Sequence, residues 1–106
     1  MRVAWTTALL LFVAVPALAQ QVTLRCVVEM GGSAYTVYGT SHGSPDRICD
    51  VGCAVTTSDG RTRSQTCQGV GLNAGYTDVR LCGEDPGAPG APFSNPVLSP
   101  GSACRP

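Results

Sequence analysis

Six cysteines, at positions 26, 49, 53, 67, 82 and 104, hold most of the reactive chemistry in this chain of 106 residues. The tightest pair is Cys49-Asp-Val-Gly-Cys53. Redox catalysis wants Cys-x-x-Cys opening a helix, where the helix N-terminus lowers a thiol pKa. This spacing is one residue longer, and no helical pattern follows. Two half-cystines bonded elsewhere is the expectation. Zinc sites take Cys and His in pairs, and the only histidine is His42. Asp46, Asp50, Asp59, Asp78, Glu84 and Asp85 do not fall at calcium-loop spacing. No metal and no cofactor are expected.

His42 is the one side chain whose ordinary pKa suits a general base near neutral pH. Ser41, Ser44 and Asp46 lie close to it in sequence. A hydrolase triad is a geometry, and a short loop does not hold three side chains in one. An exposed loop histidine is the expectation, and no catalytic residue is assigned. The same loop, residues 41–50, ends Asp46-Arg47-Ile48-Cys49. An Arg on a disulfide-tethered loop is how small secreted protease inhibitors present a residue, because preorganisation lowers the ordering cost of binding. Arg47 and Ile48 are therefore the candidate inhibitory residues.

The elements that would position these groups begin after a leader. Arg2 precedes an apolar run at residues 8–15, Pro16 breaks it, and Ala17-Leu18-Ala19 has the small-x-small form of a signal-peptide cleavage site. The run is shorter than the roughly 20 apolar residues of a membrane span. Residues 1–19 are read as a signal peptide, leaving a mature chain from Gln20 with no transmembrane segment. An exported chain with an even number of cysteines implies a disulfide framework. The absence of Lys and the wealth of Ala, Gly, Pro and Val suggest a bacterial, GC-rich source, hence a periplasmic or extracellular address. Seven basic residues balance seven acidic ones, which excludes a nucleic-acid binder needing a basic surface.

Residues 22–30 alternate, with Val22, Leu24, Cys26, Val28 and Met30 on one face, as in a half-buried strand. Gly31-Gly32 suits a two-residue hairpin turn, after which residues 34–40 resume. That turn sets Val28 opposite Tyr35 and Cys26 opposite Val37, so pattern and turn agree on register. Tyr38 falls on the opposite face, as an anchor or a cover for a second layer. Further strands are expected at 51–57, 61–68 and 76–82, with loops at 41–50 and in the glycine-rich stretch 69–75. Residues 86–106 hold six Pro and three Gly and are expected to run extended or in turns, because Pro cannot donate to a ladder.

The fold expected is all-β: a small antiparallel meander or sandwich of about five strands, stapled by disulfides, with a Pro/Gly-rich C-terminal segment. The β domain spans 20–85, and Cys104 tethers the tail 86–106. The core expected is Val22, Leu24, Cys26, Val28, Tyr35, Val37, Val55, Val79 and Leu81. Six cysteines allow fifteen pairings. Cys82–Cys104 is expected because it docks the tail with the smallest loop, against the alternative that Cys104 clamps to Cys26. The other four are assigned as Cys26–Cys53 and Cys49–Cys67. Such a chain is too small to frame a good catalytic pocket. It reads as an exported, cysteine-rich, non-enzymatic binding or structural module whose partner is an extracytoplasmic protein or surface. The alternative is the secreted protease inhibitor.

Overall fold

A computed structural model describes residues 21–84, 86 and 88–106. The leader lies outside the described residues. Seven strands form two antiparallel sheets: β1 Val22–Glu29, β2 Ala34–Ser41, β3 Arg47–Thr56, β4 Thr62–Leu72, β5 Val79–Glu84, β6 Ser94–Leu98 and β7 Ala103–Arg105. The first sheet has the order β1-β2-β5. The second has the order β4-β3-β6, with β7 also on β3. No α-helix occurs among the described residues.

The first hairpin has the expected register. Val28 faces Tyr35 and Cys26 faces Val37. Gly31 (φ 66°) and Gly32 (φ 96°) take the left-handed backbone that a two-residue turn needs, and Ser33 N–H donates to the Met30 carbonyl at 3.3 Å. Gly32 has a second reason to lack a side chain, since a Cβ there would stand 2.7 Å from Pro92. The Phe93 N–H donates to the Gly32 carbonyl at 2.7 Å. The turn thus docks onto the C-terminal segment.

Three boundaries differ from the expectation, two because a long-range ladder outweighs local composition and one because a local turn interrupts the strand. The loop expected at 41–50 shrinks to 42–46. Arg47 and Ile48 already belong to β3, paired with Leu72 and Gly71 on one side and, at Ile48, with Arg105 on the other. The glycine-rich stretch continues β4 to Leu72 instead of ending it. Gly69 (φ 69°) forms a bulge there, its N–H donating to Asp50 Oδ1 at 2.9 Å. The fifth strand starts at Val79, because Tyr76 closes a turn onto Asn73 and Asp78 (φ 50°) breaks the extended backbone.

The C-terminal segment also differs. It supplies two edge strands to β3. Leu98 and Val97 pair with Cys53 and Ala54, and Ser94 with Thr56. The ladder steps over Asn95 (φ 50°) and Pro96, so the proline costs no ladder bond. Ser99-Pro100-Gly101-Ser102 makes a turn between the two strands, closed by Ser102 N–H on the Ser99 carbonyl at 3.1 Å.

All six cysteines are bridged. Cys26–Cys53 joins β1 to β3, as assigned from sequence, and ties one sheet to the other. Cys67–Cys82 makes a second tie between the sheets, and Cys49–Cys104 joins β3 to β7. The expected Cys82–Cys104 and Cys49–Cys67 are therefore corrected. Nearness in sequence does not choose the partners; register does. Cys104 lies directly opposite Cys49, Cα to Cα 4.0 Å, whereas Cys82 faces the interior from the other sheet.

The core lies between the sheets. Tyr35, Val37, Val55 and Leu81 are buried as expected, and Val22, Leu24, Cys26, Val28 and Val79 pack against them half-buried. Val51, Leu72 and Phe93, which were not among the expected core residues, join them. Phe93 meets Tyr35 edge-on at 5.1 Å between ring centres.

Candidate functional site

Strand alternation that fills the core also fixes what each sheet presents outward. On the first sheet, Arg25, Glu29, Thr36 and Tyr38 share the outer face. Glu29 accepts from the Tyr38 hydroxyl at 2.5 Å and from the Thr36 hydroxyl at 2.7 Å, one on each carboxylate oxygen. The Arg25 guanidinium lies 4.8 Å over the Tyr38 ring and donates to Asp78 Oδ1 at 3.2 and 3.3 Å. The Tyr38 and Thr36 hydroxyls hold the Glu29 carboxyl below its ordinary 4.5, and the same bond to Glu29 raises Tyr38. Tyr38 thus lies opposite the core, as its position in the alternation implies.

Between the sheets, Glu84 takes a bidentate pair from Arg63 at 2.7 and 2.8 Å and the hydroxyl of Tyr35 at 2.5 Å. The Arg63 guanidinium is the main reason Glu84 stays below the ordinary carboxylate range. Burial, then the bond to Glu84, pushes Tyr35 up.

The second sheet presents a different surface. Thr62, Ser64, Thr66 and Gln68 of β4 are exposed. Beside them Gly52, Ala54 and Thr56 of the central strand make a shallow trough, and Val97 of β6 borders it at 57% exposure. The trough is pinched at Gly52, where a Cβ would meet both Ser99 Oγ and Thr66 Cγ2 at 2.8 Å. On one side of the pinch is a depression of about 130 Å³ lined by Thr66, Gln68, Ser99 and Ser102, and on the other one of about 160 Å³ lined by Ala54, Thr62, Asn95 and Val97. Charge appears at its two ends, where Arg105 meets Asp50 at 2.6 Å and where Asp59 and Arg61 pair at 3.5 Å in the turn between Thr56 and Thr62. Hydroxyls, amides and short aliphatic groups make this a surface for uncharged hydrogen-bonding contact.

The residues singled out from sequence do not converge. Ser41 is buried and its hydroxyl donates to the Gly43 carbonyl. His42 Nε2 meets the Thr23 hydroxyl at 2.9 Å. Asp46 accepts from the Ala74 N–H at 2.8 Å, tying two loops together, and Ser44 is exposed. Arg47 is half-buried at the start of β3, donating to Gln21 Oε1 at 3.0 Å, while Ile48 beside it is 42% exposed. Among the described residues, no group of three or more His, Cys, Asp or Glu is placed to hold a metal ion, and no helix is long and apolar enough to cross a membrane. The hydroxyl-bearing face was not singled out as functional because its residues are small and individually unremarkable. Its signal was the period-two run Thr62-x-Ser64-x-Thr66-x-Gln68.

No protein-family model, curated protein or solved structure matches this chain.

Proposed function

We propose that this chain is an exported, non-enzymatic β domain that binds a protein or surface outside the cytoplasm through the outer face of its second sheet. One observation carries the reading: that face is uncharged from Thr56 to Gly52 and from Ser64 to Gln68, with exposed Val97 at its border. Interface cores are depleted in charge relative to the rest of a protein surface. The first sheet's outer charges, by contrast, are already engaged, Arg25 with Asp78 and Glu29 with the Tyr38 and Thr36 hydroxyls. Three bridges fit an oxidising compartment. The non-enzymatic part rests on Ser41, His42 and Asp46 each bonding a different neighbour.

The inhibitor reading is the weaker one. It needs Arg47 to project from a loop, and that side chain lies half-buried along β3 against Gln21.

The test compares binding by three immobilised proteins to envelope and secreted fractions: wild type, Ala54→Arg on the second face and Arg25→Ala on the first. A partner retained by wild type and Arg25→Ala but lost by Ala54→Arg is expected. Equal retention by all three, or loss only with Arg25→Ala, overturns the reading.

A further inference from the structure

The long sides of edge strands offer unpaired N–H and C=O groups, and proteins blunt them with charges, prolines, bulges or shortness. Four of the edges here are blunted. β7 has three residues and is followed by Pro106; β6 has five and steps over Pro96. β5 has six, and its ladder to β2 shifts between Val37 and Tyr38. β1 carries Arg25 and Glu29. β4 is the exception over Thr62–Gln68, the part that precedes its bulge at Gly69. It is the longest strand, with eleven residues, and it lies at the edge of the second sheet. Between Thr62 and Gln68 its only charge is Arg63, which Glu84 already neutralises through two hydrogen bonds. The Cys67–Cys82 bridge anchors it to the other sheet.

We propose that two copies of this chain pair antiparallel through β4, edge to edge, about a two-fold axis at Gln65. The straight part of the strand sets the register. It runs from Thr62 to the bulge at Gly69, and Gln65 is the middle residue of 62–68. Ser64 then faces Thr66 of the second copy, Thr62 faces Gln68, and Arg63 faces the bridged Cys67. No like charges stand opposite, and the outward pairs join hydroxyls and amides, which favour cross-strand contact. A closed two-fold contact uses the same patch twice, and this strand is self-complementary in that sense.

A second copy suits the edge better than an extended segment of another protein. Strand addition by a peptide gains its specificity from pockets that take alternate side chains. β4 offers a row of small hydroxyls instead. The axis runs perpendicular to the sheet, so both outer faces look the same way, with the two β4 rows about 4.8 Å apart. The dimer would widen the trough-bearing surface without covering it. This inference does not rest on the proposed binding role, since it concerns the edge and not the face.

The test is sedimentation of the mature, disulfide-bonded protein over a concentration series, with two double variants. Wild type is expected to pass from one copy to two as concentration rises. Ser64→Lys with Thr66→Lys sets four ammonium groups against one another, and the dimer should be lost. Ser64→Lys with Thr66→Glu creates two opposite-charge pairs across the axis, and the dimer should return. Ser44→Lys in the exposed 42–46 loop controls for added charge and should behave as wild type. Circular dichroism and retention of all three bridges verify folding. Wild type that stays a single copy throughout, or a Lys/Lys variant that still dimerises, overturns the proposal. So does a Lys/Glu variant as monomeric as the Lys/Lys one. Partner retention in the binding comparison has no part in this outcome.

Discussion

On the first sheet Glu29 commits both carboxylate oxygens to Thr36 and Tyr38, and Arg25 divides itself between the Tyr38 ring and Asp78. On the second sheet the corresponding positions, Gly52, Ala54 and Thr56 with Ser64 and Thr66 alongside, carry no charge. Both surfaces come from the same alternation over the same core. They differ in what a newcomer could gain. A ligand on the first face must break hydrogen bonds already made. On the second face Thr62, Ser64, Thr66 and Gln68 are exposed, so new bonds replace hydration and short aliphatic groups lose exposed area. Internal pairing stabilises the fold, whereas unpaired hydroxyls leave a surface available.

The largest effect should come from the bridge that secures only one of the two surfaces. Cys49–Cys104 closes 55 residues and holds β7 on β3. Replacing both cysteines with Ala should cost about 2–5 kcal/mol. Hydrogen exchange should then lose protection at 94–105, while the hairpin 22–41 keeps most of its own. Equal loss in both segments would show that the sheets do not open separately.

Much of this division was legible in the sequence, and some was not. The 22–40 hairpin was readable because one turn and one alternation fix it locally, and both put Cys26 opposite Val37. The second sheet depends on partners far away in sequence. Leu72 sits in a glycine-rich stretch and Phe93 in a proline-rich one, so composition hid two core residues. Their burial comes from ladders to β3 and packing on Tyr35. The same distance defeated the pairings of Cys82 and Cys104. The trough was hidden for another reason. A binding surface made of Gly, Ala, Ser and Thr has no distinctive residue, and only its place on the central strand gives it meaning.

A sharper comparison removes one polar group from each face. Glu29→Ala deprives the hydroxyl of Thr36, a residue 2% exposed, of its acceptor. The loss should be about 1–2 kcal/mol in denaturant unfolding. Ser64→Ala should stay within about 0.5 kcal/mol, as exposed substitutions usually do. Equal costs would erase the distinction between a paired face and an open one.

Acid should weaken the paired regions first. Glu29 and Glu84 both sit below their ordinary 4.5 in the folded chain. A carboxyl lowered by folding contributes stability that is present above its unfolded value and lost as pH falls through the folded one. Stability should therefore be level near neutrality and decline below about pH 4.5. Glu84→Gln should be less stable at pH 7 and show a shallower acid decline. An unchanged slope in that variant would remove Glu84 from the account.

The smallest effect concerns an arginine left out of this pairing. Arg25, Arg63 and Arg105 each meet a carboxylate. Arg47 has only the Gln21 amide, and its buried Nε finds no hydrogen-bond partner among the described residues. A guanidinium withdrawn from water and met by a neutral acceptor keeps part of its desolvation cost. Gln21→Glu places a carboxylate at nearly the same reach and should add about 0.2–1 kcal/mol at pH 7, the range of a partly exposed ion pair. The gain should shrink in high salt and vanish when the new carboxyl is protonated in acid. Denaturant unfolding at two ionic strengths measures it. A variant no more stable than wild type at low salt would mean that Arg47 is already adequately solvated, and that an unpaired charge costs this end of the sandwich little.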